Sequence, residues 1–543
     1  MKQALTFLLL TAALGACGDD SSATDAGPTD AGPSDGSTPA DAGDAATTPP
    51  PVVMTTLGPV RGVAQAGYLE FLGIPYAEPP VGDLRFAPPV AHAPYDGTVD
   101  ATEKGPACVQ RAFGFSLGEE DCLFVNVNTP APAPSAAPVM VWIHGGAFIF
   151  GEGVQTDGGT RGDLLAAETG VVVVSMNYRL GPFGFLAHPE LSTEGAGHSG
   201  DQGFLDQQLA LRWVHDNIAA FGGDPNNVTL FGESAGGMSV CMHLVSPGSD
   251  GLFSRAIVES GLCDSVIPSQ SEAEATGADL ATTLGCDGAG ALACMRAKTA
   301  AEVQDAASPA GGGIDFNRRW WPNLDGSAVP DQFRARVDAG QVSHVPVIVG
   351  WNANEGTLFV ALAEQGGTVA DEAAYHDGIA NLATQFGIAA AEIEAQYPLA
   401  DYADPGAALA AALGDSTLAC PSRRAARLLA TQTDVRVYHF EYTHAGFQLG
   451  FTRDMGAFHS AEIQYVFGHP SAIGQRQLRG DDLTLHELMR GYWTSFAADS
   501  DPNYAGAPSW PMWDVTNDRH MVLDVGAHES TGADADACTF WDR

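Results

Sequence analysis

Ser234 stands in the string Phe231-Gly232-Glu233-Ser234-Ala235-Gly236-Gly237, after the apolar run 228–231 and before a stretch carrying Met238, Val240 and Leu244 at helical spacing. A Gly-X-Ser-X-Gly string is common by chance, but between a strand and a helix it has the form of a nucleophile's turn. Gly232 and Gly236 lack Cβ atoms, so the chain can turn sharply and hold the serine hydroxyl above a sheet in a strained conformation. A hydroxyl is a weak nucleophile until a base takes its proton, and the oxyanion formed on attack at a carbonyl needs hydrogen-bond donors. Donors are at hand in His144-Gly145-Gly146-Ala147-Phe148, which follows the apolar run 139–143. The N–H groups of Gly146 and Ala147, joined by that of Ala235 after the serine, would serve. The chemistry implied is acyl transfer through a serine; the bland alternative is a glycine-rich turn with an idle hydroxyl.

Fifteen histidines compete for the role of base. His459 is preferred because the small-residue stretch Gly456-Ala457 precedes it and an apolar segment follows, as suits a loop-borne group on a rigid scaffold. His444 and His469 are its rivals nearby in sequence. An imidazole with an ordinary pKa near 6.5 shuttles protons well at neutral pH.

These groups need a frame. Short β-branched runs at 139–143, 171–176, 228–231, 255–259, 345–349 and 435–442 read as strands buried on both faces. Between them lie helical stretches, the clearest being 202–221, with Leu205, Leu209, Trp213 and Ile218 on its apolar side and a stop at Gly222-Gly223-Asp224-Pro225. The alternation predicts an α/β domain over 53–543, with a large, mostly parallel central sheet covered by helices and its reactive groups at the carboxyl ends of strands.

At this level the chain resembles the type-B carboxylesterase family, the α/β-hydrolases that include cholinesterases and bacterial para-nitrobenzyl esterases. The similarity covers essentially all of 53–543. It rests on Phe71-Leu72-Gly73-Ile74-Pro75-Tyr76-Ala77, Glu120-Asp121-Cys122-Leu123-Phe124-Val125-Asn126-Val127, Asn177-Tyr178-Arg179-Leu180-Gly181, Gly222-Gly223-Asp224-Pro225 and the serine and glycine loops above, all in the family's order. The resemblance implies that the acid is Glu355, in Asn352-Ala353-Asn354-Glu355-Gly356, and that the base is His459; the order Ser234, Glu355, His459 is that of α/β-hydrolases. Glu355 would orient the imidazole and stabilise its cation. Two departures leave the catalytic groups in place: Ser460 stands where the family commonly has glycine, and Asn354 where it commonly has aspartate. The stretch between Cys108 and Cys122 holds no tryptophan, whereas cholinesterases carry there the indole that binds choline, which argues against cholinesterase activity. Phe113 and Phe115 either line a pocket mouth or pack, and Trp320 and Trp321 either line a substrate gorge or pack.

Resemblance also implies the disulfides Cys108–Cys122, Cys286–Cys294 and Cys420–Cys538. Cys241 and Cys263 remain, either as a fourth pair or as two buried thiols. Setting Cys17 aside, eight of nine cysteines are left, the even number expected of an exported, oxidised protein. No Cys/His cluster has zinc-ligand spacing and no loop has calcium-ligand spacing, so neither metal nor cofactor is expected.

Residues 1–16 have the pattern of a secretory signal: Lys2, then the apolar and small run 4–16, too short to span a hydrocarbon core of about 30 Å. Leu14-Gly15-Ala16-Cys17 resembles a bacterial lipoprotein signal, which implies lipid attachment at Cys17 and an anchored protein of the cell envelope; the alternative is a soluble secreted one. Residues 17–52 are the attachment cysteine and an acidic Pro/Ala/Asp/Gly spacer with an expected end-to-end distance of about 30–35 Å. Twenty-five Lys+Arg against 66 Asp+Glu give a net charge of −41, which repels nucleic acid and leaves the N-terminal lipid as the expected membrane contact. The expected partner is a small-molecule ester. The leading function is a serine carboxylesterase working through an acyl-enzyme on Ser234; a lipase for longer chains and a non-catalytic, neuroligin-like adhesion protein are the alternatives.

Overall fold

The computed structural model describes residues 50–543 apart from 113–114, 156–158, 309–317, 444–450, 452 and 471–476. The expected signal, Cys17, most of the spacer, Phe113 and His444 lie outside the described residues, as does the side chain of Phe115. The first strand, Val52–Thr55, pairs antiparallel with Gly58–Arg61. Val52, expected to close the spacer, therefore belongs to the folded body.

Eleven strands form the central sheet: β1 (Val63–Ala64), β2 (Tyr68–Pro75), β3 (Phe124–Pro130), β4 (Ala137–Ile143), β5 (Val172–Met176), β6 (Gly223–Glu233), β7 (Arg255–Glu259), β8 (Val347–Asn352), β9 (Val435–Phe440), β10 (Arg519–Leu523) and β11 (His528–Thr531). Their order is β11-β10-β9-β8-β7-β6-β4-β5-β3-β2-β1. The strands from β10 to β5 run parallel; β11 at one end and β1 to β3 at the other join antiparallel. The sheet is thus parallel where the sequence runs are most apolar and mixed at its margins.

The parallel strands are buried on both faces because their residues alternate between two cores. Val139, Val141 and Ile143 share one cluster with Leu211 and Val214 of helix α1 (Gln202–Asn217) and Val240 and Leu244 of α2 (Ala235–Val245). Met140 and Trp142 share the other with Trp493 and Phe496 of α4 (Asp481–Asp499), while a further helix, α3 (Cys420–Leu429), lends Ala425, Ala426 and Leu429 to the first. A two-residue period with apolar side chains on both sides is what a sheet layered between helices demands.

Several expected boundaries shift. The strand expected at 345–349 runs Val347–Asn352, and that at 435–442 stops at Phe440. The stretch 202–221 is an α-helix to Asn217, then a tighter turn, Ile218–Phe221, closed by left-handed Gly222. Strand β6 starts at Gly223, within the expected stop, because Gly223 pairs with Ala137 before the register slips to Val228. Among the described residues no helix is long and apolar enough to cross a membrane.

Candidate active site

Strands β4, β6, β7, β8 and β9 are neighbours, and the segments leaving their carboxyl ends bring the candidate groups together. Ser234 follows β6 at φ 58°, ψ −120°, a region costly for a side-chain-bearing residue, and opens α2. Its N–H donates to the Glu259 carbonyl at 2.9 Å, pinning the nucleophile's backbone to the end of β7. The turn is as tight as its glycines allow: a Cβ on Gly236 would lie 2.0 Å from the Ile143 carbonyl oxygen.

The glycine loop after β4 packs against this turn. A Cβ on Gly145 would stand 3.1 Å from that of Ser234 and 2.8 Å from Glu233 Oε2. Gly146, Ala147 and Phe148 all have positive φ, so the chain coils tightly, with Ile149 and Phe150 N–H both donating to the Gly146 carbonyl. The N–H groups of Gly146, Ala147 and Ala235 meet no protein acceptor among the described residues. Beneath the loop His144 stacks on Tyr178 at 4.3 Å, and the Tyr178 hydroxyl donates to the His144 carbonyl at 2.8 Å. Burial pulls the His144 pKa down to about 4, so the ring is neutral in its apolar bed.

Glu355 and His459 meet. His459 Nδ1 lies 2.6 Å from Glu355 Oε2, with both side chains buried. The other oxygen, Oε1, accepts from the Ser260 hydroxyl at 2.5 Å and from the Asn352 N–H at 2.8 Å. Asn354 laces the two loops together: its N–H donates to the Ala457 carbonyl, and the Ala457 N–H donates to Asn354 Oδ1, both at 2.9 Å. The amide therefore serves here as acceptor and spacer, and the family's aspartate is not needed for it. Asn352 Nδ2 adds a bond to the Phe458 carbonyl at 2.8 Å, and the Phe359 ring packs 5.2 Å from the imidazole.

The third contact of the expected triad differs. Ser234 Oγ makes no hydrogen bond among the described residues. His459 Nε2 instead lies 3.1 Å from Glu233 Oε1, the residue just before the serine, without the alignment of a hydrogen bond. Burial drives the His459 pKa down, but the carboxylates of Glu233 and Glu355 outweigh it and lift the imidazole to about 9. Burial pushes Glu233 up to about 7, His459 opposing and Glu355 adding to the rise.

Of the other sequence candidates, His469 is committed elsewhere, its Nε2 2.5 Å from Asp163 Oδ1. Trp320 is buried, with Nε1 donating to the Ala307 carbonyl and Arg319 over its ring; Trp321 is half-buried beneath Arg318. Trp320 therefore packs. All eight described cysteines are paired: Cys108–Cys122, Cys241–Cys263, Cys286–Cys294 and Cys420–Cys538. The open alternative for Cys241 and Cys263 is settled in favour of a bond, which ties α2 to the segment after β7. Among the described residues no group of three or more His, Cys, Asp or Glu side chains is arranged to hold a metal ion. Sequence reasoning misses Ser260 and Glu233. Their one signal is position, each lying at the carboxyl end of a parallel strand.

Comparison with known proteins agrees with this architecture. The sequence profile described as "Carboxylesterase family" matches residues 49–541. A cholinesterase of Mus musculus is 32% identical over 539 residues, spanning 90% of this chain and 86% of its own, and an acetylcholinesterase of Electrophorus electricus is 32% identical over 575 residues, spanning 92% and 89%. Among solved structures, a PNB esterase superposes with a TM-score of 0.76 at 32% identity, covering 89% of this chain and 98% of its own.

Proposed function

From the premise that the chain belongs to the carboxylesterase family and is a carboxylic ester hydrolase, we propose that it cleaves small carboxylic esters through an acyl-enzyme on Ser234. His459 takes the hydroxyl proton as Ser234 attacks the ester carbonyl, then gives it to the leaving alkoxide. Water, activated by the same imidazole, releases the acid. Glu355 holds the ring through Nδ1 and balances the imidazolium. The N–H groups of Gly146, Ala147 and Ala235 receive the oxyanion, each donor contributing about 3–4 kcal/mol to the barrier reduction. The observation that carries this reading is the Glu355–His459 contact of 2.6 Å beside a serine at φ 58° under a glycine loop. To act, the imidazole must exchange its contact with Glu233 for one with the hydroxyl of the next residue, Ser234. Catalytic hydrogen bonds are commonly long or misaligned before substrate binds.

The exported, lipid-anchored location expected from residues 1–17 belongs to the same proposal, and four disulfides support an oxidising compartment. The deciding experiment is labelling by an organophosphate. Adduct on Ser234, with nitrophenyl-ester hydrolysis abolished in Ser234→Ala, is expected; hydrolysis that survives in Ser234→Ala overturns the assignment. A chain-length series of nitrophenyl esters then separates a short-chain esterase from a lipase.

A further inference from the structure

Four residues form a straight row across the parallel sheet. Glu233 on β6 pairs in register with Glu259 on β7, Glu259 with Gly350 on β8, and Gly350 with Tyr438 on β9. In-register residues of adjacent strands share a face about 4.8 Å apart, so Glu233 and Glu259 are direct neighbours. Gly350 leaves room for Tyr438 to lean toward them: a Cβ on Gly350 would fall about 2 Å from the Tyr438 ring carbons. Glu259 and Tyr438 are fully buried and Glu233 is 4% exposed.

Two like charges side by side in a sheet oppose each other even on a wet surface, and here both are buried. The two carboxyls differ in their counter-charge. Glu233 has His459 at 3.1 Å. Glu259 has the Trp493 Nε1–H of α4, donating to Oε1 at 2.8 Å, and among the described residues no ion pair. The other groups converging on this pocket are Glu355 from the loop after β8, Glu462 from the His459 segment, and the Tyr438 hydroxyl.

The pattern of hydrogen bonds points the same way. Among the described residues Glu259 Oε2, Glu462 Oε1 and Asn352 Oδ1 are buried without a hydrogen bond, Glu233 Oε1 has only the misaligned His459 Nε2 at 3.1 Å, and the Tyr438 hydroxyl, whose charged neighbours are Glu259, Glu462, Glu355 and Glu233, is an orphaned donor. Ionised carboxylates accept only, whereas a protonated carboxyl also donates. Four acceptors facing two donors, the Tyr438 hydroxyl and the His459 Nε2–H, cannot all be satisfied unless some of the carboxyls keep their protons.

We propose that Glu259 is a positioning residue that works as a neutral carboxylic acid, donating its proton within this row and leaving Glu233 as the carboxylate that faces His459. Burial holds the Glu259 acid up to about 8, Trp493 opposing and Glu233 adding to the rise. The folded chain thus keeps a proton that the unfolded chain releases above its ordinary value of 4.5. The stabilisation is complete below that value and is lost as pH rises through the folded one. Above it a second buried charge appears on the row, the fold loosens behind Ser234, and activity falls.

The test is Glu259→Gln, which keeps shape and neutrality without a titrating proton. Its kinetic arm rests on the Ser234 reading. The ratio of kcat/KM at about pH 9 to that at about pH 7 should rise at least about fivefold over wild type. The second arm is independent of catalysis. The infrared carbonyl band of protonated carboxyls at about pH 7 should be weaker in Glu259→Gln than in wild type by one group. Equal ratios in the two proteins, or identical bands, overturn the proposal. Should Glu259→Gln fail to fold, the difference spectrum of Glu233→Gln between about pH 7 and 9, from which the Glu233 carboxyl is absent, decides: loss of a protonated-carboxyl band supports the proposal and an unchanged band overturns it.

Discussion

Replacing Glu233 with glutamine isolates the charge nearest the imidazole. In the wild type Glu233 Oε1 sits 3.1 Å from His459 Nε2, and together with Glu355 it lifts the imidazole to about 9 against the opposing pull of burial. An opposite charge at this range raises the pKa of a cationic partner by about 1–3. The sign is fixed: a carboxylate stabilises the imidazolium, so removing it lowers the His459 pKa and moves the acid limb of kcat/KM, which reports the free enzyme's base, to lower pH by about 1–3. A tenfold change in the base's proton affinity is about 1.4 kcal/mol of lost preference for the cation, and the imidazolium is also what forms as the serine proton is taken. The plateau of kcat/KM should therefore fall by up to about tenfold for every tenfold loss of proton affinity. At low pH the two effects offset, because more imidazole is free but each is a weaker base, so the wild-type and Glu233→Gln profiles should converge there. The assay is kcat/KM for a short-chain nitrophenyl ester across the full pH range in which the variant stays folded. A plateau that drops while the acid limb stays in place refutes the reasoning, because it would mean that Glu233 acts by shape and not by charge.

Two further outcomes follow from backbone and covalent geometry. Ser460 sits at φ 71° with no hydrogen bond from its hydroxyl among the described residues, so Ser460→Gly should relieve left-handed strain and, net of glycine's greater freedom when unfolded, raise stability by about 0.5–1 kcal/mol in urea unfolding; a loss of stability would contradict the strain. Cys420–Cys538 spans a sequence separation of 118, for which the lost chain entropy of the unfolded state is worth about 4–5 kcal/mol; the double alanine variant should unfold at a clearly lower temperature in calorimetry, and an unchanged Tm would contradict that constraint.

The legible part of this molecule is the part written in local pattern. Val228 to Phe231, the two glycines around Ser234 and the apolar turn of α2 spell a strand, a sharp bend and a helix within a short window. The glycine loop after β4 is equally local. Glu355 and His459 are a different case. Each is one of many similar residues, and their meeting depends on β8 and β9 being adjacent, which no window contains; only resemblance to a family points to them. Ser260 and the Glu233–Glu259–Tyr438 row are hidden from the sequence for the same reason. Register between strands far apart in the chain decides which residues face each other, and a periodic apolar run carries no register. Strand ends differ from expectation by a residue or more because pairing with a neighbour, as at Gly223 with Ala137, extends a strand into residues whose own preferences are for turns.

The bond between Cys241 and Cys263 joins the helix that begins at Ala235 to the segment just beyond Ser260. The serine is mounted on the first, and the hydroxyl that braces Glu355 belongs to the second. A covalent strap between those mounts fixes nucleophile and acid to one another, while the histidine's loop is held to the acid's by hydrogen bonds alone, through Asn352 and Asn354.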